Sequence, residues 1–152
     1  MITIYTDGAS RGNPGPGGYG TVLLAKGHRK ELSEGFRKTT NNRMELLAVI
    51  KGLEALKVIN ADVLIYSDSK YVVDAVEKGW LWGWVKKNFK DKKNRDLWER
   101  FIPAYKRQKV KFKWVKGHAG IPENERCDEL AVEAALSPNL PADQGFESGL
   151  YS

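Results

Sequence analysis

Asp62-Val63-Leu64-Ile65-Tyr66-Ser67-Asp68 decides the fold. Its apolar, β-branched run predicts a strand over 62–67 that stops at Asp68, and Ser69 to Glu77 continues as a short helix. Upstream, Leu46, Leu47, Ile50, Leu53 and Leu56 recur at helical spacing, which predicts a helix from Asn41 to Leu56 with Thr40 or Asn41 as its N-cap. Met1 to Thr6 reads as a strand that ends at the turn pair Asp7-Gly8. Strand, helix and strand in this order imply a right-handed crossover and parallel pairing of 62–67 with the first strand. Between them, Tyr19 to Ala25 and Arg29 to Phe36 read as strands joined near Gly27-His28, completing an antiparallel meander. Gly12 to Gly18 is too rich in Gly and Pro for helix or ladder. Farther on, the pattern predicts a helix over Arg95 to Arg107, a strand over Val110 to Val115, a loop from Gly117 to Asn124 and a helix over Glu125 to Leu136. The class is α/β, with one domain over 1–136. After Ser137 the composition turns to Pro, Gly and Ser, and residues 137–152 are expected to form a mobile C-terminal tail.

The net charge is +6 over 152 residues, and it is unevenly spread. Glu77 to Gly117 carries 14 Lys or Arg against four acids, a net +10; the remainder carries 11 against 15, a net −4. One region is suited to a polyanion and another gathers carboxylates. Cys127 is the only cysteine, so thiolate metal cages and internal disulfides are excluded. No apolar run reaches the roughly 18 residues that span a bilayer, and Met1-Ile2-Thr3-Ile4 lacks a basic-then-apolar leader. The expectation is a cytoplasmic monomer with no membrane partner.

Two strands end at an aspartate: Ile4-Tyr5-Thr6-Asp7 and Ile65-Tyr66-Ser67-Asp68. As parallel neighbours they deliver both carboxylates to one edge of the sheet, where open α/β sheets place their ligands. Each alone has a plainer reading, Asp7-Gly8 as a hairpin turn and Asp68 as a helix cap. Helical spacing puts Glu45 on the face of Ala48, Val49 and Gly52, and Asp128 on that of Ala131, Val132 and Ala135. Small residues mark close packing against the sheet, where a carboxylate is costly to bury unless paired or metal-bound. Four such acids suit an oxygen cage for Mg²⁺ or Mn²⁺. His118, in Gly117-His118-Ala119-Gly120, has the near-neutral pKa that proton transfer wants, although a lone loop histidine is more often a surface group.

Thr6-Asp7-Gly8, Asn13 to Gly20, Thr39 to Leu46, Ser67-Asp68-Ser69, Trp114 to Gly120 and Asn124 to Ala131 resemble, in order, the signature blocks of the bacterial type 1 ribonuclease H family, ribonuclease HI. The resemblance covers residues 1 to about 136. It implies a ribonuclease H-like fold, with a five-stranded mixed sheet (three antiparallel strands, then parallel ones) flanked by helices. It also implies an endonuclease that cuts the RNA strand of an RNA/DNA hybrid, leaving 5′-phosphate and 3′-hydroxyl ends. The family's metal-binding carboxylates fall on Asp7, Glu45, Asp68 and Asp128, the same four acids. Two Mg²⁺ ions, roughly 4 Å apart, would activate the attacking water and stabilise the leaving 3′ oxygen. The resemblance makes His118 an aid to proton transfer or product release.

The same resemblance places Asn13, Asn41 and Asn42 near the RNA minor groove, where 2′-hydroxyls distinguish RNA from DNA. Thr40 and Asn94 would hold a DNA phosphate, and Trp80 would lie in the channel for the DNA strand. Lys86 and Lys87 belong to a basic, aromatic protrusion over about 77–93, which implies strongly salt-dependent binding. Two features depart from the pattern: Lys70 stands where some relatives carry Gln, and the protrusion is shorter than in the longest bacterial versions. A non-catalytic hybrid binder would not need four acids beside a phosphate backbone. A DNA nuclease on a similar fold fits Asn13 and Asn41 less well, and a small-molecule hydrolase would want a closed apolar pocket.

Overall fold

The computed structural model describes residues 1–117 and 120–149. Its sheet has the order β3-β2-β1-β4-β5, with β1 (Ile2–Ser10) at the centre. β1 pairs antiparallel with β2 (Gly15–Ala25), which pairs antiparallel with β3 (His28–Thr39). On its other side β1 runs parallel to β4 (Asp62–Ser67), itself parallel to the edge strand β5 (Lys109–Trp114). The helix between β3 and β4 is α1 (Asn41–Glu54), capped by Thr40, whose side chain accepts from the Arg43 amide. α2 (Lys70–Glu77), α3 (Trp80–Lys86) and α4 (Arg95–Lys106) follow β4, and α5 (Pro122–Ala135) and α6 (Gln144–Glu147) follow β5.

The main core lies between the sheet and helices α1, α2 and α4. Leu46, Ile50 and Leu53 of α1 are buried there, each contributing about 2 kcal/mol by removal from water. Trp98 is wholly buried and meets Trp84 and Phe101 edge-on. The opposite face of β1, β2 and β3 is covered by α5, where Cys127 and Leu130 pack on Val22.

Several boundaries differ from the sequence reading, among them β3, which runs on from Phe36 to Thr39, and α1, which ends at Glu54 instead of Leu56. β1 does not turn at Asp7-Gly8 but pairs with β2 as far as Ser10. Gly15 to Gly18, expected outside the ladder, belong to β2, with a register shift between Gly15 and Gly17. The glycines are there for clearance, because a Cβ on Gly18 would meet the Ala131 carbonyl oxygen of α5 at 2.5 Å. α5 begins at Pro122 instead of Glu125, with proline in the first turn where its missing N–H costs nothing. Val132, expected on the packing face, is 40% exposed, while Cys127, Leu130, Ala131 and Ala135 are buried. After Ser137, where the helical pattern is lost, the chain returns to the body: Pro141 accepts from the Arg37 amide at 2.9 Å, and Asp143 accepts from Thr39 at 2.6 Å.

Candidate active site

Parallel pairing of Tyr5 with Tyr66 brings Asp7 and Asp68 out at the same end of the sheet. The alignment is reinforced by stacking of those two rings, 4.7 Å apart, and by Thr6 Oγ1 donating to the Tyr66 carbonyl at 2.9 Å. Glu45 reaches them because β1 has glycine at position 8. A Cβ there would overlap the Met44 and Glu45 backbone, so its absence lets the first turn of α1 ride directly on the strand. Gly52, one helical face farther on, fits against Ile4 in the same way. One carboxylate oxygen from each of Asp7, Glu45 and Asp68 then lies within 4.8 Å of the other two. Asp128, in the second turn of α5, lines the same open cavity of about 310 Å³ as Asp7 and Asp68.

Electrostatically this cluster is unsatisfied. Burial is the main cause that raises the Asp7 pKa, followed by the charge of Asp68 and, more weakly, that of Asp128; the hydrogen bond from the Gly8 amide opposes them. Burial likewise raises Glu45 well above the carboxylate range, with Asp68 and Asp7 adding to it. Among the described residues, Glu45 Oε1 and Asp68 Oδ1 are buried without a hydrogen-bond partner. Buried carboxylate oxygens without donors are expensive, and hard divalent cations are the natural complement to an all-oxygen donor set. The residues therefore fit a divalent metal.

The family model for RNase H matches residues 1–136. The chain belongs to the ribonuclease H family. It is 63% identical over 147 residues to the ribonuclease H of Desulforamulus reducens, covering 93% of this chain and 92% of that one. Among solved structures it is similar to LC9-RNase H1, a type 1 RNase H with the type 2 active-site motif, at 32% identity and a TM-score of 0.77, covering 88% of this chain and 71% of that one. It is also similar to LC11-RNase H1, solved in complex with an RNA/DNA hybrid, at 29% identity and a TM-score of 0.61, covering 89% and 96% of the two chains. The ribonuclease H sheet and its acidic cluster therefore rest on both sequence and shape. Metal dependence is a property of the family.

The other residues singled out from the sequence fall in three places on this ribonuclease H scaffold. Asn13, Thr40, Asn42 and Asn94 line one small pocket with Lys93. Asn41 is tied to its neighbours: its amide donates to Asn13 Oδ1 at 3.1 Å, and its own Oδ1 accepts from the Ser10 amide at 2.8 Å. Trp80 and Lys87 line a separate concavity on the basic protrusion, with Trp80 49% exposed beneath the Lys78 ammonium. Lys86 is exposed on the same short helix. His118 lies outside the described residues.

Sequence reasoning missed Asn124. It lines the acidic cavity, and among the described residues its buried Oδ1 has no partner. Because α5 starts at Pro122, Asn124 sits one turn before Asp128 on the same helical face. Pro122 followed by acids is a helix-start signal that would have revealed it. The second omission is Arg43, buried at the base of α1.

Proposed function

We propose that this chain is an endonuclease that hydrolyses the RNA strand of RNA/DNA hybrids, leaving 5′-phosphate and 3′-hydroxyl ends. The observation that carries the reading is the convergence of Asp7, Glu45 and Asp68 with orphaned buried oxygens, in a cavity that Lys116 of the Lys-rich 77–117 segment also lines. Asp7, Glu45, Asp68 and Asp128 are assigned as ligands of two Mg²⁺ ions, with Mn²⁺ as a substitute. The chemistry supplied by cations held there is activation of the attacking water and stabilisation of the leaving 3′ oxygen.

The protein's own groups do the rest. Asp7, Asp68 and Glu45 present a cradle of carboxylate oxygens held in place by β1, β4 and α1, whose apolar residues pack in the core. His118 is assigned proton transfer. Asn13, Asn41 and Asn42 face the RNA sugars, while Thr40 and Asn94 offer donors to a DNA phosphate. Trp80, Lys86 and Lys87 receive the DNA strand farther out. Lone, buried Cys127 suits the reducing cytoplasm, and the reaction requires no second subunit.

The test is gel-resolved cleavage of a 5′-labelled RNA strand annealed to DNA, in Mg²⁺, beside single-stranded RNA, duplex RNA and duplex DNA. Cutting confined to the hybrid and lost in an identically purified Asp7→Asn supports the reading. Equal cutting by both proteins, or none in Mg²⁺ or Mn²⁺ despite tight hybrid binding, contradicts it.

A further inference from the structure

The C-terminal segment beyond the family-matched region reaches the small pocket where Thr40 and Asn94 meet. Phe146 of α6 forms one wall of that pocket. Behind it, Asp143 accepts from Arg43 Nε at 2.8 Å and Nη2 at 3.0 Å, from Thr39 Oγ1 at 2.6 Å and from the Phe146 amide at 3.3 Å. Arg43 also donates to both oxygens of Asp96, at 2.9 and 2.7 Å, and to Asn94 Oδ1 at 3.3 Å. Position 145 is glycine, and a Cβ there would meet Arg43 Nη2 at 2.6 Å, so α6 is pressed against the guanidinium itself.

The consequence falls on the Asn94 amide, which is 6% exposed on a left-handed backbone (φ 64°). A guanidinium has donors only, so whatever faces Arg43 must be the carbonyl oxygen. The amide nitrogen is thereby turned the other way. One of its hydrogens goes to the Tyr71 hydroxyl at 3.1 Å, and the second remains to donate. Thr40 Oγ1 accepts from the Arg43 amide, which leaves its hydroxyl hydrogen to donate as well. Flipped, Asn94 would present an oxygen to an anion.

We propose that Asp143 and Arg43 are positioning residues through which the C-terminal segment fixes Asn94 as a hydrogen-bond donor to a backbone phosphate of the hybrid. This rests on the reading of Thr40 and Asn94 as phosphate donors. It gives Asp143 of the C-terminal segment, acting through Arg43, a part in substrate binding.

Steady-state kinetics on an RNA/DNA hybrid, on variants whose fold is checked by circular dichroism, provide the test. Asn94→Ala raises KM about tenfold, as loss of a hydrogen bond to a charged group does, and Asp143→Asn raises it several-fold, each with kcat within about twofold of wild type. The double variant matches Asn94→Ala alone, since both changes remove one interaction. Glu147→Gln, which breaks only the exposed pair with Arg37 and leaves the bonds between Asp143 and Arg43 in place, leaves KM unchanged. If Asp143→Asn does not fold, Thr39→Val, which removes a hydrogen bond to the same carboxylate, replaces it.

A second readout substitutes neutral methylphosphonates one at a time in the DNA strand. Wild type loses affinity at one position, and Asp143→Asn loses less there. Multiplicative effects in the double variant, an unchanged KM in Asp143→Asn beside a raised one in Asn94→Ala, or an equal loss at every phosphate overturns the inference. A wild-type KM in Asn94→Ala overturns the phosphate reading as well as the positioning built on it.

Discussion

Arg43 and Glu45 stand two residues apart in the first turns of α1, and their buried charges have opposite fates. Arg43 is 1% exposed and is met by the carboxylates of Asp96 and Asp143. Burial alone would lower its pKa, but those hydrogen bonds and charges outweigh it and hold the guanidinium firmly protonated. Glu45 faces two more acids and keeps an oxygen with no partner. A buried charge whose bonds are complete contributes to structure and position. One left incomplete, among like charges, marks the place where something else binds.

The comparison breaks most sharply at the acidic end. Asp7→Asn is expected to lower turnover by about 10³-fold or more while hybrid affinity stays within about twofold, because a ligand charge is lost at little change in volume. Parallel single-turnover and binding measurements check this. At the other end, Arg43→Met leaves two carboxylates facing each other and is expected to cost about 3–5 kcal/mol of stability, read from urea unfolding. The magnitude separates a structural centre from a functional one: Asp7→Asn should not destabilise the metal-free protein at all.

The two regions should also respond oppositely to pH in metal-free buffer. Asp7 and Glu45 have folded pKa values raised above the unfolded ones, so their contribution is fully present below the ordinary carboxylate range and is lost as pH rises through the raised values. For Asp143, burial raises the pKa, but the bonds from Arg43 and Thr39 prevail and lower it. Its contribution is therefore present above the ordinary range and is lost as pH falls through the lowered value. Urea midpoints against pH for wild type, Glu45→Gln and Asp143→Asn should show Glu45→Gln flattening the alkaline limb and Asp143→Asn the acid limb. The smallest effect is expected from Arg37→Ala. Its pair with Glu147 is exposed, and thermal melting should hardly register the change.

The acidic end was legible in the sequence because its determinants are local. An Asp that follows the apolar run of a strand, repeated after a crossover, places Asp7 beside Asp68 although β1 itself continues to Ser10, and helical spacing puts Glu45 on a small-residue face. The Arg43 centre was not legible, since Asp96 and Asp143 are 53 and 100 residues away and no periodicity announces them. Gly15 to Gly18 were misread for a related reason: their composition says loop, while the need for glycine at position 18 comes from α5, more than 100 residues later. Asn124 was hidden by a helix boundary placed three residues late. Resemblance supplied the substrate-facing roles of Thr40 and Asn94, but it could not show that Arg43 orients the amide between them.

Thermal unfolding of wild type and Asp7→Asn, each in a chelator and in excess Mg²⁺, tests the central claim most directly. If the orphaned carboxylates are a metal site, Mg²⁺ raises the wild-type midpoint, the variant loses most of that rise, and in chelator the variant melts at or above the wild type. A wild type indifferent to Mg²⁺, or an Asp7→Asn clearly less stable than wild type in chelator, would contradict it.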